Sequence, residues 1–113
     1  MSANYVVMTD GGSQLGTSAA AVYTCGANKT ARVDHALALN TSAGAVTLTI
    51  HRVPSGGTAS NANMLVKARS LAAGESYVVR ELIGAALAAG DMVQAFSGTG
   101  TAVSFQMSGW EFT

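Results

Sequence analysis

Two histidines and a neighbouring carboxylate are the side chains in this chain that come closest to a metal site. His35 directly follows Asp34, and His51 lies further along in a separate predicted strand. A zinc site needs three or four nitrogen, sulfur or carboxylate ligands at short spacings, and no cysteine or second carboxylate stands beside either histidine. The spacing therefore favours ordinary histidines, at the edge of the core or on the surface, and no metal is expected.

The residues that usually accompany a catalytic nucleophile or complete a phosphate-binding loop are also missing from the sequence. Cys25 is the one thiol, and no histidine or cation flanks it, which is typical of a small buried residue. The Gly-x-Ser-x-Gly elbow of serine hydrolases is absent, and the glycine cluster at 11–16 lacks the Lys-Ser/Thr ending of a phosphate-binding loop. Spacing alone brings no two carboxylates together for acid–base work. The sequence therefore predicts a protein that is not an enzyme and needs no cofactor.

Charge and composition limit the partners of the chain. Its 113 residues include six basic and six acidic side chains, for a formal net charge of zero. The basic residues are scattered, which disfavours a nucleic-acid-binding face, and no apolar run reaches the ~20 residues that span a bilayer. Ala, Gly, Ser and Thr form about half of the chain, a neutral composition that suits a subunit packed in an assembly and equally a neutral monomer. With one cysteine and no signal-peptide pattern, we expect synthesis and retention in a cytoplasm.

Short runs of alternating apolar and polar residues are the main structural signal. The runs 45–50 and 102–107 have the two-residue period of half-buried strands, and turns rich in Gly, Ser and Asn separate such runs. About eight antiparallel strands in one domain predict an all-β, jelly-roll-like β-sandwich, with an immunoglobulin-like sandwich as the rival. The strand candidates are 5–8, 18–24, 29–40, 45–53, 64–70, 75–81, 92–97 and 101–112.

Finer expectations follow from the same alternation. The segments 40–44 and 98–100 are predicted to be hairpin turns, and Gly109 is predicted to mark a bulge or bend. The segment 82–89 is compatible with a short helix, which Gly84 weakens. Strand periodicity divides the side chains of 29–40 and 101–112 between two faces. In the first strand, one face holds Ala31, Val33, His35, Leu37 and Leu39; in the second, Ser104, Gln106, Ser108, Trp110 and Phe112 lie opposite Val103, Phe105 and Met107.

The N-terminal segment is predicted to be a flexible arm. A short apolar run at 5–8 is followed by a glycine-rich stretch at 10–16, whose composition favours flexibility. No other composition shift or linker interrupts the chain. We therefore divide it into an arm at residues 1–17 and a single β-sandwich domain at 18–113.

Five turn-and-strand motifs occur in a fixed order along this domain: GANKTARV at 26–33, NTSAGAVTL at 40–48, LAAGES at 71–76, LAAGDMVQA at 87–95 and VSFQMSGWE at 103–111. Over about residues 20–113 this order resembles the small β-sandwich virion proteins of tailed bacteriophages, particularly capsid decoration (cement) proteins. The resemblance implies a homotrimer on the outer surface of the phage head, made in the host bacterial cytoplasm. It implies binding to the major capsid protein and stabilisation of the shell, with the arm carrying part of the shell contact.

The residues expected to contact the capsid or other subunits are apolar residues of the arm and the aromatic end of the last strand. An alternative function is a carbohydrate- or receptor-binding module of a phage tail fibre or spike, which an exposed cluster containing Trp110 would favour. A small jelly-roll enzyme is a third. The expected contact residues are Tyr5, Val6, Val7, Leu15, Trp110 and Phe112.

Overall fold

The computed structural model describes residues 2–9 and 12–113, which form ten strands and one short 3-10 helix at Asn61–Asn63. Alternating side chains, frequent β-branched residues and small turn residues give the chain this all-β character. The strands are β1 (Ala3–Val7), β2 (Ser13–Gln14), β3 (Ala20–Thr24), β4 (Thr30–Asn40), β5 (Val46–Val53), β6 (Met64–Leu71), β7 (Ser76–Val78), β8 (Ala86–Leu87), β9 (Met92–Ser97) and β10 (Val103–Phe112).

The strands form two antiparallel sheets. Sheet A has the order β1-β10-β4-β7, with β2 pairing to β10 on the β1 side and β8 pairing to β4 on the β7 side. Sheet B has the order β3-β9-β5-β6. Side chains of both sheets meet in one hydrophobic core, whose largest fully buried members include Phe105, Met107, Leu48, Ile50 and Leu71.

The connections give this sandwich the topology of a jelly roll. When β1 with β2 and β7 with β8 are each counted as one interrupted edge strand, eight strands remain, as the sequence predicts. Six of the seven connections between these eight strands pass from one sheet to the other, and β5–β6 alone is a hairpin within a sheet. This wrapping of two four-stranded sheets defines the jelly roll and confirms the predicted fold class.

The predicted hairpins at 40–44 and 98–100 are wrong, because each of these segments carries the chain between sheets. At the first corner, 40–44, the chain leaves sheet A, and hydrogen bonds of the buried Asn40 side chain take the place of the backbone hydrogen bonds that a hairpin would form. Its amide group donates to the carbonyl oxygens of Gly44 (2.8 Å), Leu71 (3.0 Å) and Ala72 (3.1 Å), and its carbonyl oxygen accepts from the Ser42 backbone N–H (2.9 Å). Asn40 therefore holds the β4–β5 and β6–β7 corners together.

A β-bulge in β4 reverses the faces predicted for half of that strand. Ser108 pairs with His35 and Gly109 pairs with Val33, so Asp34 is an extra residue opposite β10. Beyond the bulge, Ala36, Ala38 and Asn40 are buried, whereas Leu37 and Leu39 lie on the outer face. Gly109 is required here, since a Cβ at this position would lie 2.2 Å from the Arg32 carbonyl oxygen.

The N-terminal segment differs from the expected arm. Residues 3–7 form β1, which pairs in regular register with β10, and β2 pairs with β10 further along. Leu15 is 2% exposed, and its backbone bonds to Val103 and Thr101. Among the described residues of 1–17, two strands therefore belong to sheet A; residues 10 and 11 of the glycine-rich stretch lie outside the described residues. The 82–89 segment forms a turn and β8, with Gly84 at φ 84°, in place of a helix.

Candidate interaction surface

The outer face of sheet A, turned away from the core, is the surface where most of the expected contact residues come together. Directly paired residues of antiparallel strands carry their side chains on the same face, so the strand registers define this surface. Its rows across the sheet are Ala3, Phe112 and Thr30; Tyr5, Trp110, Arg32 and Ala86; Val7, Ser108 and His35; Gln106, Leu37 and Val78; and Gln14, Ser104, Leu39 and Ser76.

One end of this outer face is aromatic. The rings of Tyr5 and Trp110 meet edge to face, with centroids 5.2 Å apart and an interplanar angle of 73°, a favourable arrangement for aromatic rings. The Tyr5 hydroxyl lies 3.0 Å from the Ser108 Oγ and donates to the Asp34 carboxylate at 3.3 Å. These contacts fix Tyr5 across three strands, although half of its surface is exposed. The aromatic end is therefore an ordered surface feature.

The other end is aliphatic and was missed by the sequence analysis. Leu37 and Leu39 are partly buried on the outer face, and Val78, paired with Leu37, is 47% exposed. The bulge at Asp34 places both leucines there, whereas unbroken alternation predicts them in the core. Two sequence features indicate the break in the alternation: the adjacent polar residues Asp34 and His35 in β4, and Gly109, predicted to mark a bulge or bend, which lies opposite them in β10.

The structure separates the six predicted contact residues into two groups. Tyr5 and Val7 are 50% and 65% exposed on the outer face of sheet A, and Trp110 and Phe112 lie beside them, partly exposed. Val6 projects to the opposite side of β1 and packs against the core, and Leu15 is buried within it. Leu15 therefore has no surface for a partner. The predicted division of β10 is confirmed, since Val103, Phe105 and Met107 are all buried.

Sheet B presents a different outer face, because its own chain covers part of it. Thr49, His51 and Val53 project outward from β5, yet all three are buried. The Thr49 hydroxyl oxygen accepts from the Ala68 backbone N–H of β6 at 3.0 Å. The connection between β5 and β6 covers His51, whose Nδ1 lies 3.1 Å from the Ser60 carbonyl oxygen and 3.0 Å from the Asn63 Oδ1. Both partners can accept, so this nitrogen carries a proton and donates. His51 thus has a structural role in closing this connection.

Two depressions on the described surface lie beside charged or aromatic side chains. A depression of about 380 Å³ is lined by Ala3, Arg32, Trp110 and Phe112 at the aromatic end of sheet A. Another of about 290 Å³ lies between Arg52, Asn63 and Asp91 at one end of sheet B, where the Asp91 carboxylate already accepts the backbone N–H groups of Ser55 and Ala88. Neither depression collects an unpartnered charged group with a nucleophile.

Several titratable groups near Cys25 are used in packing. Cys25 is buried, and this burial, followed by the Glu111 and Asp91 carboxylates, raises the pKa of its thiol. Burial and a 2.5 Å hydrogen bond to Glu111 raise the pKa of Tyr23 far above its ordinary value, and Lys29 Nζ lies 3.4 Å from the same carboxylate. These groups tie β3 of sheet B to β10 of sheet A. Across residues 2–9 and 12–113, no three His, Cys, Asp or Glu side chains are grouped to hold a metal ion.

Comparisons with known proteins gave one structural similarity. No family model matches the chain, and no curated protein matches it. A structure of infectious bursal disease virus, Gx strain, is similar with a TM-score of 0.47 and 16% sequence identity, over 97% of this chain and 32% of the viral chain. This chain therefore spans about a third of the length of that viral protein.

None of the helices formed by the described residues is long and apolar enough to cross a bilayer.

Proposed function

We propose that this protein is a non-enzymatic structural protein of a tailed-bacteriophage virion, and that it decorates the outside of the head as a cement protein. The motif order in the sequence supports this proposal, and the jelly roll is a fold that viral capsid proteins use. Fold alone does not assign function, so the proposal depends on the surface described above. The homotrimer comes from the sequence resemblance.

The observation that carries the proposal is the uncovered outer face of sheet A. Tyr5, Val7 and Val78 are three of the four large hydrophobic side chains that are well exposed among the described residues, and all three lie on this face. Tyr5 and Val7 lie beside Trp110 and Phe112 at one edge of the face, and Val78 pairs with Leu37 at the opposite edge. Apolar patches on a sheet surface often mark an interaction site. The outer face of sheet B is in part covered by its own connection, so sheet A is the better contact surface.

The character of the face fits a broad protein contact better than a small ligand. Its rows are mostly small polar and apolar residues, with few charges, and its depressions are open. Contacts between proteins combine partly exposed aromatic anchors with neutral polar surroundings. Many copies bound to a regular shell would also gain avidity, so each single contact can be weak. We therefore place the shell contact on the outer face of sheet A.

Cosedimentation with undecorated, expanded tailed-phage heads tests this function. The wild-type protein is expected to pellet with the heads and to raise their temperature of disruption. Val78→Lys places a charge on the contact surface and should weaken binding. Ser70→Lys places the same charge on the exposed outer side of β6 in sheet B and should bind like wild type. Absence of binding, or equal binding of both variants, would contradict the proposal.

The alternative, a carbohydrate- or receptor-binding module, is favoured by one observation. Tyr5 and Trp110 form an exposed aromatic pair beside the depression lined by Arg32 and Phe112, and aromatic rings next to polar groups are suited to amphipathic ligands. Screening the protein against isolated host surface glycans tests this function. Binding that is lost in Trp110→Ala, together with no affinity for phage heads, would replace the first proposal by the second.

A further inference from the structure

The edges of the two sheets differ in how well they are protected against pairing with another strand. Natural edge strands are blunted by bulges, charges or short length. On sheet B, β6 has register shifts and exposed Lys67 and Arg69, and β3 has a register shift near Val22. On one side of sheet A the edge strands β7 and β8 have three and two residues. The strand at the other edge of sheet A is β1.

β1 has none of these protections within its described residues. Its five residues, Ala3–Val7, contain no charge and no proline, and they pair with β10 without a register shift. Ser2 and Thr113 exchange both backbone hydrogen bonds. Because hydrogen-bonded pairs alternate along an antiparallel ladder, Asn4 and Val6 also face β10. The N–H and C=O groups of Ala3, Tyr5 and Val7 therefore point away from the sheet.

We infer that β1 is a self-association site, which pairs antiparallel with β1 of a second copy about a two-fold axis at Tyr5. In this register Tyr5 faces Tyr5 of the second copy, and Ala3 faces Val7. Each facing pair exchanges two backbone hydrogen bonds, so all six outward-pointing groups on each copy find a partner. The two copies of sheet A become one continuous sheet.

The side chains fit the same register. Each exposed Val7 lies beside the small Ala3 of the second copy, so a large residue meets a small one. No charge stands on either strand, so no repulsion opposes pairing. The contact also extends the outer face of sheet A, because the aromatic ends of two copies become neighbours. A contact between two five-residue strands is small, and small protein interfaces are usually transient. It is therefore best detected by covalent crosslinking.

Crosslinking with a short bis-maleimide tests the register directly. In Tyr5→Cys the two introduced thiols would face each other, whereas in Val7→Cys they would lie four residues apart along the strands. Dimer should form on the order of tenfold faster in Tyr5→Cys, since facing Cα atoms lie about 5.5 Å apart. The native Cys25 is buried and provides the background. This inference does not depend on the proposed function.

A mixture of two variants provides a second test, in which Tyr5 is unchanged. Ala3→Cys and Val7→Cys should each crosslink poorly alone, and should crosslink readily when mixed, because these positions face each other only between copies. Both results together support the two-fold pairing. Equal crosslinking of Tyr5→Cys and Val7→Cys, or no gain on mixing, would overturn it, whatever the outcome with phage heads.

Discussion

Gly109→Ala is the substitution that tests the bulge in sheet A most severely. A Cβ at this position would lie 2.2 Å from the Arg32 carbonyl oxygen, 3.0 Å from the Asp34 backbone nitrogen and 2.9 Å from the Met8 Cε. The methionine end can move, but the two backbone atoms belong to β4, which is hydrogen-bonded to β10 along its whole length. Relief of the clash therefore requires β4 to move away from β10 at the bulge.

The magnitude follows from the distance that β4 must move. Ordinary contact begins at 3.4 Å, so the Arg32 carbonyl oxygen would have to withdraw by about 1 Å. Overpacking in a rigid site costs about 1–3 kcal/mol, and each weakened ladder bond about 1 kcal/mol more. The expected loss is about 3 kcal/mol, or about 12 °C in melting temperature for a domain of this size. The usual gain from Gly→Ala in the unfolded state, about 0.4–1 kcal/mol, is too small to offset it.

Urea and thermal unfolding of two matched variants provide the measurement. Gly44→Ala is the control, because a Cβ there meets nothing within 4 Å and its φ is not in the left-handed region. This control should be as stable as wild type or slightly more stable. If Gly109→Ala unfolds at the same urea concentration as Gly44→Ala, then β4 does not approach β10 closely at Asp34, and the assignment of Leu37 and Leu39 to the outer face is wrong.

Three further outcomes are expected. Asn40→Ala should lower the free energy of unfolding by about 3 kcal/mol in urea titrations, because it removes the side-chain hydrogen bonds at two corners and takes the Asn40 donor from the buried Leu71 carbonyl oxygen; a loss below about 1 kcal/mol would contradict that role. The Tyr77 hydroxyl donates a 2.7 Å hydrogen bond to Glu81 and lowers the pKa of that carboxyl group. The bond therefore stabilises the folded protein above pH 4.5, the ordinary pKa of the group, and this contribution is lost as the pH falls through the lowered pKa. The stability difference between wild type and Tyr77→Phe should shrink in acid, and a difference that stays constant with pH would contradict this role of the bond. The buried, high-pKa Cys25 thiol should resist thiol reagents in the native protein and react fully in urea; rapid native labelling would mean that the site opens.

The sequence predicted the strands well where the alternation is unbroken. β9 coincides with the predicted run 92–97, and the two faces of β10 are as expected. Alternation is a local property of one strand, so it survives any arrangement of partners. A bulge is defined by two strands together, and the face change at Asp34 depends on the close approach that Gly109 of β10 allows. Leu37 and Leu39 were therefore expected to share a face with Ala31 and Val33, whereas they lie on the opposite face.

The corners and the N-terminal segment show a second limit. A short polar turn such as 40–44 looks the same in sequence whether it joins neighbouring strands or two sheets, and the decisive contact, from Asn40 to Leu71 and Ala72, is long-range. Likewise, the glycine-rich composition after β1 indicated flexibility, whereas pairing with β10 depends on residues a hundred positions away. Tyr5, Val7, Trp110 and Phe112 could be proposed as contact residues from the sequence because they are large apolar residues in runs typical of strands. Leu37 and Leu39 could not, because the bulge changes the face on which they lie.

The most direct test of the central claim is a cryo-electron microscopy map of expanded phage heads incubated with the purified protein. We expect added density on the outside of the heads, with sheet A turned toward the shell and Val7, Trp110 and Val78 within the contact. Heads without added density, or subunits bound with the outer face of sheet A turned toward solvent, would contradict it.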